Sequence, residues 1–228
     1  MINIFSIFKK NILTEEEKNL IRQICLFYES NKELFSKDIN SQEEKRNIIK
    51  NIYHKLDFLS LPQLSSGDEI YLTNMPKIYR GISALNSDLL NTYLNEFING
   101  EPFYGGRASI YGQGIYTVIG NDSNVANKYA SDGGINSCGV VIESTLKSDS
   151  KIIKSSEIEN LRQFLFKNLR KMYGNEIENY LFVLQDDGAL SAVLGYDAIY
   201  VEQKKYMVVL NRSKMIVNNN ILKNNKTI

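Results

Sequence analysis

Tryptophan is absent from this 228-residue chain, histidine occurs once, cysteine twice and proline three times. Each scarcity removes a class of chemistry. The single His54 sits in a helical pattern and leaves Ser-His-Asp catalysis and histidine-based metal sites almost no material. Cys25 and Cys138 stand far apart without CxxC spacing, which predicts two buried free thiols and neither a zinc site nor a disulfide framework. With 27 basic and 26 acidic side chains the net charge is +1, so no charge excess points to nucleic acid. No apolar run is long enough to span a bilayer. Met1–Phe8 is apolar, but no basic residues precede it and no small-residue cleavage site follows, so no cleavable signal peptide is expected. Among the glycines there is no GxGxxG behind a long apolar strand and no GxxxxGK[ST] loop, which excludes the two commonest nucleotide-binding fingerprints.

What is present is enough for a substantial core, with 43% hydrophobic residues over this length. The first third reads as helix. Thr14-Glu15-Glu16-Glu17 and Ser41-Gln42-Glu43-Glu44 are both capping boxes. Behind them Leu20, Ile21, Ile24, Phe27 and Tyr28, then Ile48, Ile49, Ile52, Tyr53 and Leu56, recur at helical spacing. Leu61–Asp68 is turn chemistry and divides residues 1–66, a helical portion, from residues 67–217. Residues 218–228 form an asparagine-rich tail expected to fray. Beyond the turn, short strands are predicted at Lys77–Ile82, Ile115–Val118, Gly139–Leu146, Ile152-Ile153, Asp197–Val201, Tyr206–Leu210 and Met215–Val217. Helices lie between them, one of them capped by Ser156 and another opening at Asp187. The fold class is α+β.

Three fragments carry chemistry. In Ile78-Tyr79-Arg80-Gly81-Ile82 an arginine interrupts an apolar strand. A lone edge arginine that snorkels would explain it, whereas a planar guanidinium gripping a pyrophosphate through paired hydrogen bonds would use it. The glycine after it permits close backbone approach to a flat ring. Next, Gly112-Gln113-Gly114-Ile115-Tyr116-Thr117-Val118 precedes Ser123-Asn124-Val125-Ala126-Asn127-Lys128-Tyr129. The two tyrosines of this pair of segments could hold an aromatic ring between their faces. Third come Asp186-Asp187-Gly188-Ala189 and Gly195-Tyr196-Asp197-Ala198-Ile199, followed by a strand ending Leu210-Asn211-Arg212-Ser213. Taken alone these read as a docked helix and a hairpin turn, with Asp197 a turn residue.

In that order, over about Lys77–Val217, the fragments resemble the ADP-ribosyltransferase superfamily and are most similar to its bacterial effector and toxin members. The resemblance implies a split β-sheet core and transfer of ADP-ribose from NAD to a protein side chain, with release of nicotinamide. It implies no metal, no nucleic acid and no membrane span. An effector secreted without a cleavable signal and acting in the target-cell cytosol is the expected setting. A more distant similarity to the group that modifies ubiquitin on threonine makes ubiquitin one of the implied acceptors. Arg80 matches the arginine of the toxin-like branch, and Tyr116 matches the tyrosine of the poly-ADP-ribose polymerase branch. Gly81, Gly114, Tyr116, Thr117, Ser123 and Tyr129 join Arg80 as implied NAD contacts, with Arg107 and Ser109 as further pocket candidates.

One position departs from the pattern. The superfamily places a glutamate at the start of the late strand, where Lys204-Lys205-Tyr206 stands. That acid would stabilise the oxocarbenium-like ribosyl charge as nicotinamide departs. Glu202, four residues before Tyr206, is the first substitute, and Asp187 the second; a plain N-cap is the ordinary use of an aspartate there. With neither in place, the chain would be a catalytically degenerate module that binds NAD or protein without turnover.

Overall fold

The computed structural model describes residues 13–37, 39–65, 70, 72–99, 110–120, 123–131 and 138–219. Arg107, Ser109 and the tail from residue 220 lie outside them, as does the side chain of Ser123. Helix α1 (Glu15–Ser30) and helix α2 (Gln42–Lys55) begin at the two expected capping boxes. In each box the hydroxyl accepts from the N3 amide, Glu17 N–H to Thr14 at 3.2 Å and Glu44 N–H to Ser41 at 3.1 Å. The N3 glutamate in turn accepts from the cap amide. Their apolar stripes bury Ile21, Ile24, Cys25, Tyr28, Ile49, Ile52 and Tyr53.

Helices α3 (Ser87–Asn99), α4 (Ser123–Ser131), α5 (Ser155–Tyr173), α6 (Glu178–Val183) and α7 (Asp187–Val193) alternate with strands β1 (Gln63–Ser65), β2 (Ile78–Ala84), β3 (Ile115–Ile119), β4 (Cys138–Leu146), β5 (Ile152–Lys154), β6 (Ala198–Val201), β7 (Tyr206–Val209) and β8 (Met215–Asn218). The strands form one sheet in the order β1-β8-β4-β2-β3-β7-β6-β5. It is antiparallel except at its two edges, where β1 runs parallel to β8 and β5 parallel to β6. The α+β class is therefore the observed one. Strand β1 was not expected, because a three-residue edge strand behind Pro62 shows no alternation to read.

Two apolar clusters lie on the sheet. One joins Ile24, Ile52, Tyr53, Leu165, Leu181 and Leu190 of the helices to Ile153, Ile199, Val201 and Val208 of the sheet. The other packs Leu90, Leu94 and Phe97 of α3 against Ile78, Ile142, Met207, Val209, Met215 and Val217. Helices α1 and α2, from the helical portion expected over residues 1–66, share a core with α5–α7 and the sheet. The reason is simple: two amphipathic helices bury more apolar stripe against a sheet than against each other.

Two local expectations are corrected. Helix α5 has no side-chain cap; the Ser156 hydroxyl instead donates to the Glu202 carboxylate. Asp186, not Asp187, caps α7, accepting from Ala189 N–H at 2.9 Å. In the later part of the third fragment, Asp197 and Arg212 are structural. Asp197 accepts from the Asn211 amide at 2.7 Å and from Lys151 N–H at 2.9 Å. The buried Arg212 donates to the carbonyls of Leu59, Ser60 and Phe97, tying the loop after α2 and the C-terminal half of α3 to the turn after β7.

Candidate active site

Strands β2 and β3 pair only at Ile78–Ile119 and Tyr79–Val118, whereas β2 stays paired with β4 from Ile78 to Ala84. Strand β3 meanwhile stays paired with β7 from Ile115 to Val118. The sheet therefore opens between β2 and β3 just beyond Tyr79. Gly120 N–H donates to Lys77 O at 3.0 Å and Ile119 N–H to Lys205 O at 2.9 Å. Backbone groups alternate along a strand, so the even-numbered residues of β3 aim their amides at β2 and the odd-numbered residues of β2 aim theirs at β3. Gly81 and Tyr116 thus face each other across the opening.

Arg80 leaves β2 on the face opposite to Tyr79 and Gly81, toward α3, and reaches across the opening from that side. Its guanidinium donates to the Tyr116 carbonyl at 3.3 Å and lies 6.0 Å from the ring centre of Phe97 on α3. Burial pulls it down to about 10, so it remains a cation at neutral pH. Gly81 has a separate reason to be glycine. A methyl there would run into the Ala126 carbonyl and meet Ala130 N at 2.7 Å, and one on Gly139 would run into the Ala130 carbonyl. The two glycines let α4 lie directly on β2 and β4, which sets one wall of the opening. Gly114 is likewise accounted for by packing, since a methyl would sit 2.6 Å from Val208 on β7.

Register places Tyr79, Gly81, Tyr116, Val118, Tyr206 and Val208 on one face of the sheet. Tyr129, 53% exposed on α4, stands over the same face. The Tyr206 phenol is pushed up by burial and by the neighbouring phenols of Tyr129 and Tyr111. Tyr111, Tyr116, Tyr129 and Tyr206 are therefore neighbours around the groove. Thr117 points to the other face, where it is buried and its hydroxyl donates to Met207 O at 2.8 Å. Thr117 therefore shares its face with Arg80 and not with Tyr116 and Gly81, and its hydroxyl is committed to β7.

The hydroxyl of Tyr116 has a use that stacking does not need. It donates to Gly112 O at 2.9 Å and accepts from Tyr111 N–H at 3.0 Å, closing the glycine loop onto β3. Burial pushes it up to about 12, with the carboxylates of Asp186 and Asp187 adding to the shift. Tyr116→Phe is accordingly expected to cost about 1–2 kcal/mol, the net worth of two such bonds. Thermal melting of the Phe variant checks this. An unchanged melting temperature would mean that the loop holds without the hydroxyl.

Two further residues that the sequence did not single out build the same loop. The Tyr53 hydroxyl of α2 donates to Gln113 O at 2.6 Å. Asp186 accepts from Gln113 N–H at 3.1 Å on both carboxylate oxygens. Gly112 takes a positive φ of 85° and packs against Asp186 and Gly188, where a side chain has no room. No local pattern betrays these contacts, because they join residues 60 and 73 positions apart.

The acids divide clearly. Glu202 follows β6 beside the outer edge strand β5, where it takes the Ser156 hydroxyl and lies 3.5 Å from Lys154. Those two partners, not the seam, hold its carboxyl below the usual range. Its priority over Asp187 is corrected on that ground. Asp187 is half-buried and ion-paired with Arg162. Burial raises its carboxyl, against the pull of Arg162. With Asp186, Gly112, Gln113, Lys45 and Arg46 it lines a cavity of about 280 Å³ beside the Tyr116 loop. At the strand-start position Lys205 takes a left-handed φ of 52°. Among the described residues no cluster of three or more histidine, cysteine or acidic side chains is placed to hold a metal ion. No helix there is long and apolar enough to cross a membrane. No family model, curated protein or solved structure matches this chain.

Proposed function

We propose that this chain is an NAD-dependent ADP-ribosyltransferase acting on a protein side chain. The observation that carries the reading is the opening of the sheet beyond Tyr79, with the Gly81 backbone and Tyr116 on its lips and the Arg80 guanidinium reaching the Tyr116 carbonyl from the α3 side. A guanidinium in a desolvated seam suits a pyrophosphate, for which Arg offers two parallel donors. An amide and a carbonyl aimed into the same opening match the donor–acceptor pair of a carboxamide. Tyr116 and Tyr129, with Tyr206 between strand and helix, offer aromatic faces for a nicotinamide ring. These features together support the split-sheet fold that the resemblance implies.

Asp187 is the acid we assign to nicotinamide departure. It lies on the cavity beside the Tyr116 loop, its charge reaches the Tyr116 phenol, and the capping work falls to Asp186. Asp187→Asn is expected to cut nicotinamide release from NAD at least about a hundredfold while leaving NAD affinity by calorimetry nearly intact, the pattern of a group that acts on developing charge. Glu202→Gln should release nicotinamide within about twofold of wild type, since an exposed carboxylate far from the charge contributes little. The opposite pair of results would return the role to Glu202.

The lysine at the strand start favours a second reading, a module that binds NAD without turning it over. Incubating the purified protein with NAD and assaying free nicotinamide separates the two: binding by calorimetry with no nicotinamide released leaves only the module.

A further inference from the structure

We infer that the exposed face of α5 is a docking groove for an acidic segment of a protein partner, and that this partner is the acceptor; the second clause rests on the transferase reading above. The groove, about 640 Å³ and open to solvent, has Phe166 at its floor and Arg162, Lys167, Arg170 and Lys171 along its rim. Of the four cations there, Arg162 and Arg170 are matched by carboxylates, which leaves the excess to Lys167 and Lys171. The carboxylates nearby are already committed: Glu159 and Asp187 to Arg162, and Glu178 to Arg170 at 2.7 Å. Lys167 and Lys171 are exposed, and they carry the field.

A simpler use of cations near the end of a helix is to complement its dipole, and Arg170 and Lys171 in the last turn of α5 do so. That accounts for neither Lys167, one turn earlier, nor the apolar floor supplied by Phe166. A basic rim over an apolar floor is the complement of a peptide with acidic residues around an apolar anchor.

The groove also leads somewhere. Gln185 lines both it and the cavity beside the Tyr116 loop, and Arg162 of the groove is ion-paired to Asp187 of that cavity. Lys45 and Arg46 on α2 extend the basic strip along the cavity's other wall. A chain seated on α5 would therefore run toward the acid assigned to the transfer step.

The test uses the full chain and a fluorescein-labelled, glutamate-rich peptide with one central leucine, followed by anisotropy. A control peptide has every glutamate replaced by glutamine. The acidic peptide is expected to bind, to weaken as salt rises, and to weaken roughly tenfold in the K167Q/K171Q double variant. The control should not bind. Equal binding of the two peptides, or unaltered binding by the double variant, overturns the proposal. So does a single-stranded RNA oligonucleotide that binds more tightly than the acidic peptide and loses affinity in the same variant, because the occupant is then nucleic acid.

Nicotinamide release from NAD without acceptor, measured on the same double variant, should equal wild type, as neither lysine lines the seam. Should wild type release no nicotinamide, the transferase reading fails while the peptide result still judges the groove. Should wild type release nicotinamide but ignore the acidic peptide, the groove assignment alone fails.

Discussion

Arg80→Lys is expected to abolish nicotinamide release, by at least roughly a hundredfold, while the protein keeps its fold. Lysine preserves the charge but replaces two parallel donors by a point charge, and it hydrates more strongly, so it suits a desolvated seam less well. The guanidinium is already held where it would be used, by its bond to the Tyr116 carbonyl at 3.3 Å and by the Phe97 ring. The ammonium can still reach a carbonyl, which is why the fold should survive. Nicotinamide release and circular dichroism on the same preparation check both halves. A Lys variant that turns over NAD like wild type would make Arg80 a bridge across the split sheet and nothing more. The proposed function would then lose its anchor.

Arg212→Met should be the most damaging single change to stability. The side chain is 2% exposed and donates to three carbonyls from two separate segments, at 2.6, 3.2 and 3.3 Å. Hydrogen bonds from a charged donor are worth about 1.5 kcal/mol or more each, and the carbonyls left behind stay away from water, so a loss of roughly 4 kcal/mol is expected. In a chain of this size that corresponds to a fall in melting temperature of about 8–15 °C. Methionine matches the length of the aliphatic stem and isolates the polar loss from a cavity effect. A fall of less than about 3 °C would mean that water or a rearranged neighbour replaces the guanidinium.

These two arginines show how unevenly the sequence could be read. Arg80 interrupts an apolar strand-like run and Arg212 follows one, and both belong to the fragments that carry the family resemblance. Arg80 lies in the seam beside Tyr116, whereas Arg212 is a staple between the loop after α2, α3 and the turn after β7. The same holds for the glycines. Gly81, Gly114 and Gly139 are required because α4 and β7 approach their backbones, a demand made by elements remote in sequence.

Local chemistry determined a good part of the molecule. Reciprocal capping boxes started α1 and α2, apolar residues at helical spacing set their buried stripes, and β-branched runs marked every strand except β1. Those features depend on neighbours within a turn or a few residues, so they are legible in a linear chain. Composition likewise determined the scarcity of histidine and cysteine chemistry. Only the tertiary structure decided that β2 and β3 part beyond Tyr79, that Tyr116 closes its own loop, that Asp186 takes the cap and leaves Asp187 on the cavity, and that Glu202 faces the outer edge. Each of these depends on which distant backbone a side chain meets, and that is settled by the packing of the helices on a twisted sheet, which no spacing along the chain encodes.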